Sequence, residues 1–119
     1  MPLHKVAENR KLERLFLHIK VFDNETGSLL GHTADLHVEG MMLISDKRVV
    51  LDKELCLRLE HVKNNFEKIS IPLFASGVWN RTANNSNVFN TGFRFVDTSH
   101  TQTIELSGLI EELMLDKMH

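Results

Sequence analysis

Residues 69–75 read Ile69-Ser70-Ile71-Pro72-Leu73-Phe74-Ala75, with an apolar residue at every odd-numbered position. This period of two predicts a strand with one face buried in a core. Pro72 indicates an edge or a bulge in that strand, because proline cannot donate to a sheet ladder. Trp79 continues the series. The sequence favours core packing for its indole, since large aromatics dominate small cores, with stacking on a ligand as the alternative.

Five other segments show a similar alternation, and we predict strands over residues 15–22, 29–36, 40–44, 55–60 and 89–95. The period changes at Thr101, from which we predict a helix to Met118. Its apolar face comprises Ile104, Leu106, Leu109, Ile110, Leu113 and Met114. This order predicts a mainly β fold, a small antiparallel β-barrel of six or seven strands with a C-terminal α-helix that covers the barrel or a partner's surface.

The chain has 119 residues, enough for one domain. We divide it into a flexible N-terminal arm, residues 1–14, and a barrel with its helix, residues 15–119. Fourteen basic and sixteen acidic residues leave a net charge of −2, which argues against binding long nucleic acid. No apolar run reaches the ~20 residues that span a bilayer, and the first residues lack a signal-peptide pattern. We therefore expect a cytoplasmic protein without membrane insertion.

Motifs for catalysis are missing from the sequence. There is no nucleophile elbow, phosphate-binding glycine loop or dinucleotide fingerprint. The seven histidines are scattered, without the closely spaced pairs that zinc recruits. Cys56 lies in an alternating strand, which favours packing over a nucleophilic role. We therefore predict a protein that is not an enzyme, with no catalytic residue, metal site or cofactor.

The first notable cluster is Arg10-Lys11-Leu12-Glu13-Arg14 in the arm. Two arginines four residues apart present two planar forks in one neighbourhood. Each fork can bind a phosphate in bidentate fashion, bind the O6 and N7 of a guanine, or stack on a base. The alternative interpretation is a solvated charged segment.

The second cluster is Asp35-Leu36-His37-Val38-Glu39-Gly40, between two predicted strands. The two oxygens of the Asp35 carboxylate match the N1–H and N2–H₂ donors of guanine. Gly40 allows a sharp turn or a close approach to a ligand. Alternatively, Asp35 and Gly40 serve the geometry of a turn alone.

Together the two clusters resemble the PilZ domain, the bacterial receptor module for cyclic di-GMP. Its signature is Arg-x-x-x-Arg in an N-terminal arm, followed about twenty residues later by Asp/Asn-x-Ser-x-x-Gly. Arg10 and Arg14 match the first part, and Asp35 and Gly40 match the second. The stretch 92–97 also resembles the last core strand of the family. His37 departs from the family's serine, and Asn9 stands where many members carry a further arginine.

The resemblance implies a second-messenger receptor or adaptor that binds the nucleotide between arm and barrel and signals to an effector protein that the sequence does not identify. Arg10 and Arg14 would bind phosphates, and Asp35 would bind a guanine edge. Gly40 would leave space for the ligand. Asn9, His37 and Trp79 complete the predicted ligand-binding set. The alternative is a PilZ-like protein-interaction adaptor that no longer binds the nucleotide.

Overall fold

The computed structural model describes residues 19–63, 65–82 and 87–118, with side chains as far as residue 115. The predicted arm and the first residues of the predicted 15–22 strand lie outside these ranges. Within them the chain forms six strands and one helix: β1 (Lys20–Asp23), β2 (Leu29–His37), β3 (Gly40–Ser45), β4 (Glu54–Val62), β5 (Lys68–Thr82), β6 (Phe89–Val96) and α1 (His100–Met118). The predicted mainly β fold is confirmed.

The strands close into an antiparallel barrel in the order β1-β2-β3-β6-β5-β4. Alternation explains most of the core, because inward residues recur at every second position of each strand. The strand residues of the apolar core cluster are Val21, Leu36, Met41, Leu43, Leu57, Leu59, Ile71, Leu73, Ala75, Phe93 and Phe95, with Ile19 just before β1. The pairing of β5 with β6 ends at Phe74, which pairs with Val96. Pro72 pairs with Arg58 of β4 but with no residue of β6, so one side of β5 is an edge at this position, as predicted.

The helix begins at a capping box. The backbone N–H of Gln102 donates to the Ser99 hydroxyl at 3.1 Å, and the Ser99 N–H donates to the Gln102 side-chain oxygen at 2.8 Å. The Gln102 amide also donates to the carbonyl of Pro72 at 2.8 Å. These bonds attach the start of α1 to β5.

One narrow stripe of α1 joins the barrel core: Leu106, Leu109 and Leu113 are 0, 2 and 2% exposed. The predicted apolar face was too wide. Ile104 is 58% and Met114 41% exposed. At 3.6 residues per turn, Ile104 lies on almost the opposite side of the helix from Leu106. In the part of the chain that the structure describes, no helix is both long and apolar enough to cross a membrane.

Candidate functional site

The four predicted site residues that the structure describes line one open pocket of about 390 Å³. Asp35 and His37 lie at the end of β2, Gly40 begins β3, and Trp79 comes from β5, far away in sequence. The fold therefore brings together residues that sequence reasoning chose from separate segments.

A β-bulge in β2 places Asp35 on the outer surface of the barrel. Thr33 pairs with Leu43 and Asp35 with Met42, so Ala34 is an extra residue. Thr33 and Ala34 are both buried, whereas Asp35 is exposed. Without the bulge, Asp35 would share the inward phase of Thr33, because side chains alternate with a period of two.

A second bulge, in β5, places Trp79 on the outer surface of the barrel. Gly77 pairs with Phe93 and Trp79 with Gly92, so Val78 is the extra residue. Val78 and Trp79 both face outward, at 56 and 38% exposure. The prediction that Trp79 packs in the core was therefore wrong, because the alternation that joins it to Ala75 is broken at Val78.

The inward position after the bulge belongs to Asn80. Its side-chain amide donates to the carbonyl of Val49 at 3.0 Å, and its oxygen accepts from the Thr91 hydroxyl at 2.7 Å. Thr91 is fully buried. Because buried polar groups are costly unless they are hydrogen-bonded, these two bonds favour Asn80 inside and Trp79 outside.

Asp35 and Trp79 mark the two ends of one row across four neighbouring strands. The register pairs Asp35 with Met42, Met42 with Gly92, and Gly92 with Trp79. Neighbouring strands lie about 4.8 Å apart, so the two ends are separated by about 14 Å along the sheet.

The indole of Trp79 lies against Gly92. A Cβ atom at position 92 would approach Nε1 and Cε2 of the indole to 2.2 and 2.3 Å, so any larger residue would displace the ring. The Arg81 guanidinium lies over the ring, 5.3 Å from its centroid. There the cation gains a cation–π attraction.

His37 and Gly40 enclose the two-residue turn of the β2–β3 hairpin. The Nδ1 atom of His37 accepts a hydrogen bond from the Glu39 backbone N–H at 3.3 Å. In the neutral imidazole, this bond assigns the proton to Nε2. The imidazole therefore offers Nε2–H as a donor at the rim of the pocket.

Position 40 requires glycine for a reason that the sequence did not indicate. Its φ is not in the left-handed region, so the turn itself does not require glycine. Instead, a Cβ atom there would lie 2.3 Å from the carbonyl oxygen of Phe93 in β6. The close approach is to this chain's own backbone, and it leaves bare backbone between His37 and Arg94, which pairs with Gly40.

Sequence reasoning missed several residues that line the pocket, notably Glu39, Met42, Gly92 and Arg94. The signal for Arg94 was present in the sequence, because it alternates with Phe93 and Phe95, which are buried. An arginine between two inward phenylalanines must face the outer surface. The described lining thus carries two carboxylates, Asp35 and Glu39, and one guanidinium.

Three predicted ligand residues, Asn9, Arg10 and Arg14, lie outside the described residues, so their place relative to the pocket stays a prediction. Among the residues described, no group of three or more His, Cys, Asp or Glu side chains could hold a metal ion. Cys56 is half-buried in β4, with its sulfur 3.6 Å from the side-chain nitrogen of Asn24.

Comparison with known proteins adds no relative: no family model, curated protein or solved structure matches the chain.

Proposed function

We propose that this chain is a PilZ-type receptor and adaptor, which binds cyclic di-GMP between its N-terminal arm and the barrel and signals to an effector protein. One observation carries the proposal. Two bulges turn Asp35 and Trp79 out of the barrel and onto one pocket, so that a carboxylate and an indole line the same open space. Bulges are common beside functional sites, because they re-aim a side chain.

Asp35 is the proposed guanine reader. The side chain is exposed, and among the described residues no hydrogen bond or ion pair occupies its carboxylate. Its two oxygens accept the N1–H and N2–H₂ of a guanine side by side. Adenine lacks this pair of donors, so a site built around Asp35 discriminates between the two bases.

Trp79 is the proposed stacking surface for the second guanine. Its backbone lies about 14 Å along the sheet from that of Asp35, and its ring extends back to Gly92, one strand nearer. A ligand with two bases can place one guanine at each residue. The incoming base takes the place of the Arg81 guanidinium on the indole, which leaves Arg81 to pair with a phosphate.

The arm supplies the remaining positive charge in this proposal. A ligand with two phosphates needs cations, and the described lining offers Arg94 against Asp35 and Glu39. Arg10 and Arg14 would restore the balance by closing over the phosphates. Ordering of the arm by the ligand would then present a changed surface to the effector.

A second candidate function follows from the same charges. With two carboxylates and one arginine, the described lining repels a dianion unless the arm contributes. If the arm does not close, the pocket suits an adaptor that recognises a protein without the nucleotide. The departure from serine at His37 also favours this alternative.

Isothermal titration of the full chain with cyclic di-GMP separates the two candidates. The receptor predicts saturable heat with cyclic di-GMP and much weaker binding of cyclic di-AMP and GTP. The nucleotide-independent adaptor predicts no heat with any of the three.

A further inference from the structure

A second groove, of about 410 Å³, runs between α1 and the hairpin that joins β4 to β5. Its apolar surface is formed by Ile69, Leu109 and Leu115. It shares no lining residue with the pocket at Asp35. A function of this groove therefore does not depend on nucleotide binding at the other pocket.

The rim of the groove is acidic. Glu105, Glu111 and Glu112 line it, together with a single cation, Lys63. The Lys63 ammonium lies 3.0 Å from a carboxylate oxygen of Glu112 and 3.6 Å from one of Glu67. The hydrogen bond to Glu112 raises the pKa of Lys63 above its usual range, although desolvation opposes the shift. Lys63 is therefore already paired.

The other two glutamates, Glu105 and Glu111, lie on exposed positions of α1. Among the described residues, neither forms an ion pair or a side-chain hydrogen bond. Two carboxylates at the edge of an apolar groove thus leave their charge available to a cationic ligand.

Gly108 lies in the middle of α1, between these glutamates. Glycine is among the least favourable residues in a helix interior. Its φ is not in the left-handed region, and a Cβ atom there would meet nothing within 4 Å. Packing within the described chain therefore does not require glycine. The missing side chain instead leaves room for a second backbone to approach the helix closely.

A second stripe of α1, on the side away from Leu106, Leu109 and Leu113, borders the groove and carries exposed apolar residues. Ile104 and Leu115 are 58 and 51% exposed. With Gly108 and Glu111 they recur at spacings of four, three and four residues, which places them along one side of the helix. The stripe thus has a large apolar residue at each end, and a small residue and a carboxylate between them.

We propose that this groove is the docking site for a basic amphipathic helix of a partner protein. Apolar residues of the partner would pack on Leu115 and Ile69, and its lysines or arginines would pair with Glu105 and Glu111. From Glu105 to Leu115 the groove lining extends along α1 for about 15 Å, so it accommodates about three turns of the partner helix. A second copy of this chain fits poorly, because its own glutamates would face those of the first.

The test uses a fluorescein-labelled synthetic peptide of about fourteen residues, long enough for four helical turns. It carries leucine at every third or fourth position and lysine at most others, and its binding to the full chain is followed by anisotropy at about 0.15 M salt. A matched peptide with glutamate in place of lysine serves as the first control. The proposal predicts saturable binding of the basic peptide and none of the acidic peptide.

Matched protein variants locate the binding surface. The double variant Glu105→Lys/Glu111→Lys should weaken binding by at least about tenfold, because attraction becomes repulsion. Gly108→Leu should have a similar effect by filling the groove, and the space around position 108 allows the variant to fold. The control is Glu25→Lys, an exposed charge reversal in the β1–β2 turn, which should leave affinity within about twofold. Circular dichroism checks the folding of each variant.

Three results would overturn the proposal. The first is equal loss of affinity in Glu25→Lys and the double variant, which would indicate general attraction to an acidic protein. The second is a dimer of the wild-type chain that Gly108→Leu converts to a monomer, which would assign the groove to a second copy. The third is a carbodiimide cross-link between Glu111 and a lysine of residues 1–18 of the same monomer. This cross-link would assign the groove to the chain's own N-terminal segment.

Discussion

The indole of Trp79 rests on the backbone of Gly92, its partner across the β5–β6 ladder, where a single added methyl group would lie 2.2 Å from the ring nitrogen. Glycine at position 92 thus leaves space for the aromatic ring on the outer surface of the barrel. The ring lies at one end of the row that begins at Asp35, and this row is part of the proposed cyclic di-GMP site.

Replacement of Gly92 by alanine should displace the indole. Because Trp79 is the only tryptophan and the chain has no tyrosine, its fluorescence reports this position alone. We expect a shift of the emission maximum and weaker binding of cyclic di-GMP in Gly92→Ala. Gly108→Ala is the matched control. It introduces the same methyl group into open space in a helix and should raise stability by about 0.5–1 kcal/mol. An unchanged emission spectrum in Gly92→Ala would contradict the contact.

The outward position of Trp79 also shows what the alternation of apolar residues in β5 could not predict. Ile69 to Ala75 alternate as predicted, and all four odd-numbered positions face the interior or its margin. The bulge at Val78 then reverses the phase, and no local signal in the sequence indicated it. Asp35 changes phase in the same way at Ala34. Each bulge depends on the register with the next strand, β3 for Ala34 and β6 for Val78, so a period read from one strand cannot reveal it.

The guanine edge provides a second prediction. Asp35→Ala should weaken cyclic di-GMP binding and reduce the preference over cyclic di-AMP, because the acceptor for N1–H and N2–H₂ is lost. Calorimetry with both ligands measures the preference. Asp46→Ala, an exposed aspartate in the segment after β3, should change neither value. Equal binding of both dinucleotides by the wild type would show that Asp35 does not read the guanine edge.

The arm provides a third prediction. Arg14→Ala removes the proposed charge-assisted bidentate contact and should weaken binding by about 10- to 150-fold, equivalent to roughly 1.5–3 kcal/mol. The control is Arg48→Ala, whose guanidinium lies 5.4 Å from the Phe89 ring and outside the pocket. Identical titration curves for Arg14→Ala and the wild type would remove Arg14 from the site.

A fourth prediction concerns the helix. Leu109 is 2% exposed in the core, so Leu109→Asp buries an unpaired charge and should cost about 3 kcal/mol or more. Thermal melting should show a fall of about 10 °C or loss of the cooperative transition. Ile104→Asp is the matched control. It lies on the same helix at 58% exposure and should melt within a few degrees of the wild type. If both variants melt alike, α1 does not contribute to the core as described.

The elements that the sequence predicted well are those with long, regular patterns. The alternation in β4 and the change of period at the start of α1 depend only on local spacing, and the structure confirms both. The width of the helix face was wrong, because Ile104 and Met114 are apolar without being buried. Contact with the barrel decides which apolar helix residues become core, and the sequence of the helix alone does not specify it.

The decisive measurement for cyclic di-GMP binding is titration of the full chain with this nucleotide, followed by Trp79 fluorescence and by calorimetry on the same sample. We expect a saturable change in Trp79 emission that tracks the heat, with a dissociation constant below about 100 µM, or about −5.5 kcal/mol. Cyclic di-AMP should produce a much weaker change. Heat without any change at Trp79 would place the ligand elsewhere, and the absence of both signals would contradict nucleotide binding.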